Sequence, residues 1–293
     1  FIASVGTGDR MVWLHDEKGE HQIVSEGVAS SATFSSDGKK LYYLYATDPR
    51  NGDEVWTLNL VDGKTERVLP GYSTDDYCVS ADGQMVAFTK VDQGGHSSLW
   101  IAPTDHRSAP RGFTSSALED SPRFLPDGDL LFRASEAGIN SLYRMHPDGT
   151  DRHKIGPAHI FDFFGTSPDG RWAIVTTMRP GAEQIPGQYA FPVEGGDPHL
   201  VCASLCLLSW DIHGDFMLFT TYAHRDQGTY AIPVNRNTGL PDLPAEGVGD
   251  VQDLKYVKGA RFFPQIVDSA VNPSIFAFTR TDIHRNLYRI PIP

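Results

Sequence analysis

The side chains best suited to chemistry in this 293-residue sequence are carboxylates that recur at one distance from a repeated turn. Counting seven residues back from the Asp of Asp82-Gly83, Asp127-Gly128 and Asp169-Gly170 reaches Asp75, Asp120 and Asp162, and Asp76 and Glu119 stand beside the first two. The same count from Asp37-Gly38 reaches Ser30, and from the degenerate turns His213-Gly214 and Asn272-Pro273 it reaches Cys206 and Gln265. Carboxylates at one register of successive structural repeats would converge on an acidic rim able to hold a divalent cation, an amine or a basic peptide. The competing use of the same residues is local, as solvated side chains that cap turns.

Other chemistry is poorly served. There is no Gly-x-Ser-x-Gly elbow, no His-Glu-x-x-His pair and no Gly-rich phosphate loop. The eleven His, among them His96, His106, His146, His153, His159, His224 and His284, are scattered through turns without metal-ligand spacing. His159 and His224 are the pair that a His-based site would have to bring together. Cys202 and Cys206 admit two readings, a short disulfide of an oxidising compartment or two buried thiols. Cys78, between Tyr77 and Val79, reads as core.

The elements that would position the carboxylates follow from the turns themselves. Asp-Gly between alternating apolar runs is a hairpin signal, because Gly supplies positive φ without a Cβ clash. After each turn comes a strand marked by an aromatic at Trp13, Trp56, Trp100, Tyr143, Tyr189, Tyr230 and Tyr288, with spacings of 43, 44, 43, 46, 41 and finally 58 residues. A period of this size with four short strands per repeat predicts a β-propeller. In the second repeat the strands A to D fall at Ser31 to Ser35, Lys40 to Ala46, Glu54 to Leu60 and Thr65 to Leu69. The third to sixth repeats run from Tyr77 to Phe113, Pro122 to Ile155, Phe161 to Val201 and Leu207 to about Leu243.

At the ends, Phe1 to Val5 aligns with a B strand, while Ile275 to Thr281 and Asn286 to Pro291 align with B and C. Seven B and seven C strands predict a single domain of seven four-stranded antiparallel blades over residues 1–293. Its first blade lacks A and its last lacks D, which leaves unpaired edges at the seam. The alternative is a six-bladed ring in which the N-terminal strands pair differently. The long step holds a Pro-, Gly- and Asn-rich stretch after Asn235 that predicts a loop.

Composition narrows the partners. The hydrophobic fraction of 40% and charged fraction of 21% suit a folded globular domain. A formal charge of -12 speaks against nucleic acid. No apolar run approaches the ~18 residues of a membrane-spanning helix. The abrupt Phe1-Ile2-Ala3-Ser4 start reads as a piece of a longer polypeptide, with targeting or tethering information upstream.

Ser167-Pro168-Asp169-Gly170, with its variants at Leu125 to Gly128, Ser80 to Gly83 and Ser35 to Gly38, resembles the WD-type repeat of TolB-like propellers. So does Leu142-Tyr143-Arg144-Met145 followed by His146 to Thr150. The end of the chain, Phe276 to Arg280 and then Arg285 to Pro291, resembles the close of extracytoplasmic propellers in bacterial receptor-type Ser/Thr kinases and related transmembrane regulators. These resemblances imply a periplasmic or extracytoplasmic sensor of signal transduction that binds a protein or peptide, tethered upstream, with any kinase activity outside this segment. The expected function is therefore a non-catalytic binding or sensing domain without an obligate cofactor, its site at Asp75, Asp76, Glu119, Asp120 and Asp162. The alternative is a propeller enzyme, a carbohydrate lyase or hydrolase working at the channel mouth.

Overall fold

The computed structural model describes residues 2–24, 26–48, 52–179, 182–204, 206–221 and 227–289. Phe1, His224 and 290–293 lie outside them. The chain opens with β1 (Ile2–Asp16) and β2 (Gly19–Gln22). The first complete sheet is β3 (Val28–Phe34), β4 (Lys40–Ala46), β5 (Glu54–Asn59) and β6 (Thr65–Arg67). The second is β7 (Tyr77–Val79), β8 (Met85–Val91), β9 (Ser97–Pro103) and β10 (Arg111–Gly112). The third is β11 (Leu118–Phe124), β12 (Leu130–Glu136), β13 (Ile139–Met145) and β14 (His153–Ala158). The fourth is β15 (Asp162–Thr166), β16 (Trp172–Arg179), β17 (Ala182–Pro192) and β18 (His199–Cys202). The fifth is β19 (Leu207–Trp210), β20 (Phe216–Thr221), β21 (Gly228–Pro233) and β22 (Arg261–Phe263).

The ring closes with a sixth sheet in the order β2-β1-β24-β23, where β23 is Val267–Asn272 and β24 is Ile275–Arg289. The propeller thus has six blades, the alternative count, and not the expected seven. What aligned as separate B and C strands at each terminus is one long strand at each. β1 and β24 pair without a break from Ile2↔Arg289 to His15↔Phe276. Gly6 and Gly8 therefore lie within a strand, and among the described residues the alignments of Ile2 to Val5 with B and of Asn286 to Arg289 with C fail. Tyr288 pairs with Ala3 on this ribbon and marks no further blade. The incomplete first and last blades of the seven-blade expectation merge into one complete blade, so no seam lacks a strand.

Burial explains why the blades stack. Each has apolar residues on both faces, and the buried side chains gather into clusters between neighbouring blades. Tyr42, Val55, Val86 and Phe88 pack between blades one and two, and Ala87, Leu99, Leu130 and Phe132 between two and three. Leu131, Leu142, Phe163 and Val175 join three and four, and Ile174, Ala190, Leu208 and Phe219 join four and five. Leu218, Ala231, Phe276 and Phe278 continue from five to the closing blade, and Val12, Leu14, Leu41 and Tyr43 complete the circle.

The repeated turn is built by its own side chains. Ser35, Ser80 and Ser167 donate to Asp37, Asp82 and Asp169 at 2.6 to 2.7 Å, and each Ser Oγ accepts the backbone N–H five residues on at 2.9 Å. Gly170 has φ 73°, and a Cβ there would sit 2.7 Å from Pro126 Cδ of the preceding blade. Gly63 has the same φ with nothing within 4 Å. Gly63→Ala should therefore lose ~1 kcal/mol of unfolding free energy from the left-handed backbone alone. Gly170→Ala should lose ~2 to 3 kcal/mol because packing adds to it. Urea midpoints of the two variants test this; equal losses would refute the inter-blade contact.

The irregular segment belongs to blade five. Its outer strand comes only at Arg261–Phe263, after an insertion, so the sixth repeat does not end near Leu243. Trp172 Nε1 donates to Thr238 O at 2.7 Å and Arg171 Nη1 to Asn237 O at 2.8 Å. Val248 N–H bonds Val201 O at 2.9 Å along the outer edge of β18. A 3-10 helix, Val251–Tyr256, buries Val251 and Leu254 in the core between blades four and five. The insertion thus shields an edge strand that would otherwise be open. No helix among the described residues is long and apolar enough to cross a membrane.

Candidate binding site at the channel mouth

The innermost strands of all six blades enclose a channel with a cavity of about 480 Å³. Because the strands alternate in direction, the starts of the A strands share one face of the ring with the B-to-C connections; the Asp-Gly turns lie on the other. Asp75 and Asp76 immediately precede β7, Asp120 lies within β11 and Asp162 begins β15. All four carboxylates are therefore at the same face.

Their environments differ. Asp75 is exposed and lines the channel. Asp76 is held by Arg123 Nη1 at 2.9 Å, across from blade two to blade three. Asp120 binds Arg133 through both oxygens, at 2.8 and 2.7 Å. Asp162 is 3.9 Å from the same guanidinium, with its side chain 62% exposed. Arg133 Nη1 also donates to Phe161 O, so it links blade three to blade four. Glu119 is not part of the rim. It is buried on the other side of β11 and accepts from Arg152 Nε at 3.1 Å, with the guanidinium 4.3 Å over the Tyr143 ring. Alternation along a strand sends neighbouring residues to opposite faces, which separates Glu119 from Asp120.

Sequence reasoning missed three groups. Arg123 and Arg133 place two guanidinium groups among the four rim carboxylates. Asp120 opposes Arg133 directly in the β11–β12 register, a pairing visible only once register is known. Burial opposes the charge on Arg123, but the Asp76 carboxylate, through its charge and its hydrogen bond, acts with Cys78 and Tyr77 to raise the guanidinium pKa on balance. The hydrogen bonds that Arg133 donates to Asp120 do the same for its guanidinium. The third group, Asp268, lines the channel from the closing blade. It accepts from Thr279 Oγ1 at 2.6 Å and from the Ala32 backbone, and burial pushes its pKa up to about 6.

Register shifts interrupt the innermost strands between Ser30 and Thr33, Asp120 and Arg123, Phe163 and Gly165, and Val267 and Ser269. Ser31 and Ser121 at two of these bulges have φ 56°. A bulge re-aims the side chains that follow it, and here it delivers Arg123 and Asp268 to the channel wall. Further contacts tie the blades together around the channel: Tyr77 Oη donates to Ser31 O at 2.8 Å and Phe124 N–H to Cys78 Sγ at 3.4 Å. Burial raises the Cys78 thiol pKa.

Cys202 and Cys206 are both buried and joined as a disulfide where blade four passes to blade five. Among the described residues no group of three or more His, Cys, Asp or Glu is arranged to hold a metal ion. His159 is exposed, and His224 falls outside the described residues.

No protein-family model matches the chain. The Tol-Pal system protein TolB of Francisella tularensis subsp. holarctica, in strains OSU18 and LVS, is 26% identical over 101 residues, which is 33% of this chain and 23% of that protein. The matched region thus spans less than a quarter of the length of these relatives. A TolB structure from Agrobacterium tumefaciens superposes with a TM-score of 0.65 at 16% identity, over 94% of this chain and 99% of that one. TolB from Acinetobacter baumannii gives 0.61 at 15% identity, over 77% and 61% of the two chains. An oligogalacturonate lyase in complex with manganese gives 0.56 at 14% identity, over 78% and 68%. At these identities the likeness is one of fold. Six four-stranded blades closed by both chain termini, matched over nearly the whole length by a TolB structure, make this a β-propeller of TolB-like fold.

Proposed function

We propose that the propeller is a non-catalytic binding or sensing domain that captures a basic protein or peptide at the channel mouth, outside the cytoplasm. The observation that carries this reading is the state of the rim: Asp75 and Asp162 stand exposed beside a channel open to solvent, while Asp76 and Asp120 are engaged by Arg123 and Arg133. The engaged pairs shape the mouth, and the two exposed carboxylates, Asp162 only loosely paired with Arg133, keep acceptor sites for a cation from a partner. An extracytoplasmic setting suits the Cys202–Cys206 disulfide, which a reducing cytosol would oppose. Upstream tethering, as in the receptor-type proteins that the C-terminal stretch resembles, is part of the same proposal.

The test replaces Asp75 and Asp162 together by Lys and leaves Asp120 in place, because losing Asp120 would strip Arg133 of its bidentate partner. Capture of partners from an extracytoplasmic extract should fall at least ~10-fold, while the unfolding temperature stays unchanged. Capture at the wild-type level would remove the open carboxylates as the site.

A further inference from the structure

The channel-mouth face carries more than charge. Nine large apolar side chains are exposed among the described residues. Six of them, Val91, Leu118, Ile139, Phe161, Met178 and Leu207, lie at A-strand starts or B-to-C connections and therefore on this face. Val61 stands in a C-to-D turn on the opposite face, and Tyr256 and Phe262 belong to the periphery of blade five. Single exposed apolar residues are ordinary, but a bias of this kind toward one face is the mark of an interaction surface.

Two of the six are adjacent to the rim. Phe161 precedes Asp162, and its carbonyl accepts from Arg133. Leu118 is two residues before Asp120 on the same side of β11 and opposes Ser135, which is two residues beyond Arg133 on β12. Leu118, on the strand whose Asp120 holds Arg133, and Phe161, whose carbonyl accepts from it, thus both belong to segments that hold Arg133 at the junction of blades three and four. Phe163, two residues beyond Phe161, is buried with Leu131 and Leu142 in the core of that junction. Leu118 and Phe161 themselves are exposed at that junction, at 47% and 40%.

We propose that Leu118 and Phe161 form the apolar anchor of a docking patch for a partner segment that presents bulky apolar side chains next to a lysine or arginine. The inference rests on the mouth being the binding site and adds where on it, and by what chemistry, a partner is held. The charge arrangement selects the partner. Arg133 is already chelated by Asp120, so Asp162, at 3.9 Å and exposed, keeps acceptor capacity for a cation. Asp75 adds a second open carboxylate. A partner with acidic residues beside its apolar ones would meet like charge on a protein of net charge -12.

Three short synthetic peptides of equal length serve as probes: alternating Leu or Phe with Lys, the same with Glu for Lys, and Lys with Ser for the apolar residues. Binding is read by fluorescence anisotropy at physiological ionic strength. The apolar and basic probe should bind at least ~10-fold tighter than either of the others. The double variant Leu118→Ser with Phe161→Ser should weaken it ~10-fold or more, while Val61→Ser on the far face leaves it unchanged. All three substitutions replace exposed side chains, and equal unfolding temperatures confirm intact folds. Undiminished binding by the double variant, or an equal loss with Val61→Ser, overturns the patch. If the Asp75→Lys and Asp162→Lys variant then still loses binding, the mouth survives as the site without the patch. If neither variant loses binding, both readings fail.

Discussion

Deleting residues 1–22 is expected to leave a chain with no cooperative unfolding transition. Those residues supply β1 and β2, two of the four strands of the closing blade. Val12, at 0% exposure, and Leu14, at 5%, pack against Leu41, Tyr43 and Ala277 at the junction of the closing blade with blade one. Burying side chains of this kind is worth ~1.5 to 3 kcal/mol each. The deletion also removes Trp13, which packs beside Phe278, and opens the full edge of β24. Against a total stability of ~5 to 15 kcal/mol, these losses leave the ring without a margin. An open, long strand edge adds a route to aggregation. Circular dichroism melts and gel filtration check this, and supplying residues 1–22 as a peptide should restore a sigmoidal melt. A deleted chain that melts sharply near the intact protein's temperature would show that the closing blade is dispensable.

Replacing Asp268 by Asn is expected to raise stability at neutral and alkaline pH. Its carboxyl faces the Thr279 hydroxyl and the Ala32 N–H, with Tyr77 nearby, and Arg123, the only guanidinium among the described residues of the channel wall, is engaged with Asp76. Burial holds its pKa at about 6, against an ordinary value of 3.8. The folded protein therefore keeps this proton at pH values where the unfolded chain has released it. Stability falls as pH rises from the unfolded value toward 6 and is constant above. The full shift corresponds to at most ~3 kcal/mol, reduced by the water that reaches the channel. Asp268→Asn should remove that slope and gain ~1 to 3 kcal/mol at pH 8, while at pH 4 the variant and the wild type converge.

The comparison between the two proteins is needed because other groups slope differently. Asp37 and Asp82 are held below the usual carboxylate range by the Ser35 and Ser80 hydroxyls and by backbone N–H groups. They stabilise above the unfolded pKa, and their contribution is lost as pH falls through the folded one. His146 is raised by its hydrogen bond to Asp129, so its contribution is present at acidic pH and lost as pH climbs through its folded pKa. Urea unfolding from pH 4 to 8 isolates Asp268 as the difference curve. A variant less stable than wild type at pH 8 would mean that the ionised carboxylate is needed to hold the closing blade to blade one.

The blade strands themselves were legible because the turns announce them. Ser-x-Asp-Gly fixes a local network of two side chains and a glycine at positive φ, and the flanking runs have strand periodicity; both are properties of contiguous residues. The strands expected at Lys40 to Ala46 and Glu54 to Leu60 appear at Lys40–Ala46 and Glu54–Asn59. The blade count was not legible in this way. Residues 2–16 and 275–289 contain the glycine and polar interruptions of two strands, yet each forms one, because each pairs with the other end of the chain. A contact separated by nearly the whole sequence leaves no local trace.

The same division governs the rim. Sequence alone determined that carboxylates recur at one register before the Asp-Gly turns, since a repeat of fixed strand length places equivalent residues at equivalent heights. It determined the repeating four-stranded blade for the same reason. Only the tertiary structure decided which of those carboxylates are open. Strand alternation turned Glu119 toward Arg152, cross-strand register gave Asp120 to Arg133, and the meeting of blades two and three gave Asp76 to Arg123. Bulges at the innermost strands brought Arg123 and Asp268, which no repeat count marks, to the channel wall. Charge at a propeller mouth is set by neighbours on other strands and other blades, and that is why the sequence could place Asp75 and Asp162 at one height but not show that they alone among the four remain exposed.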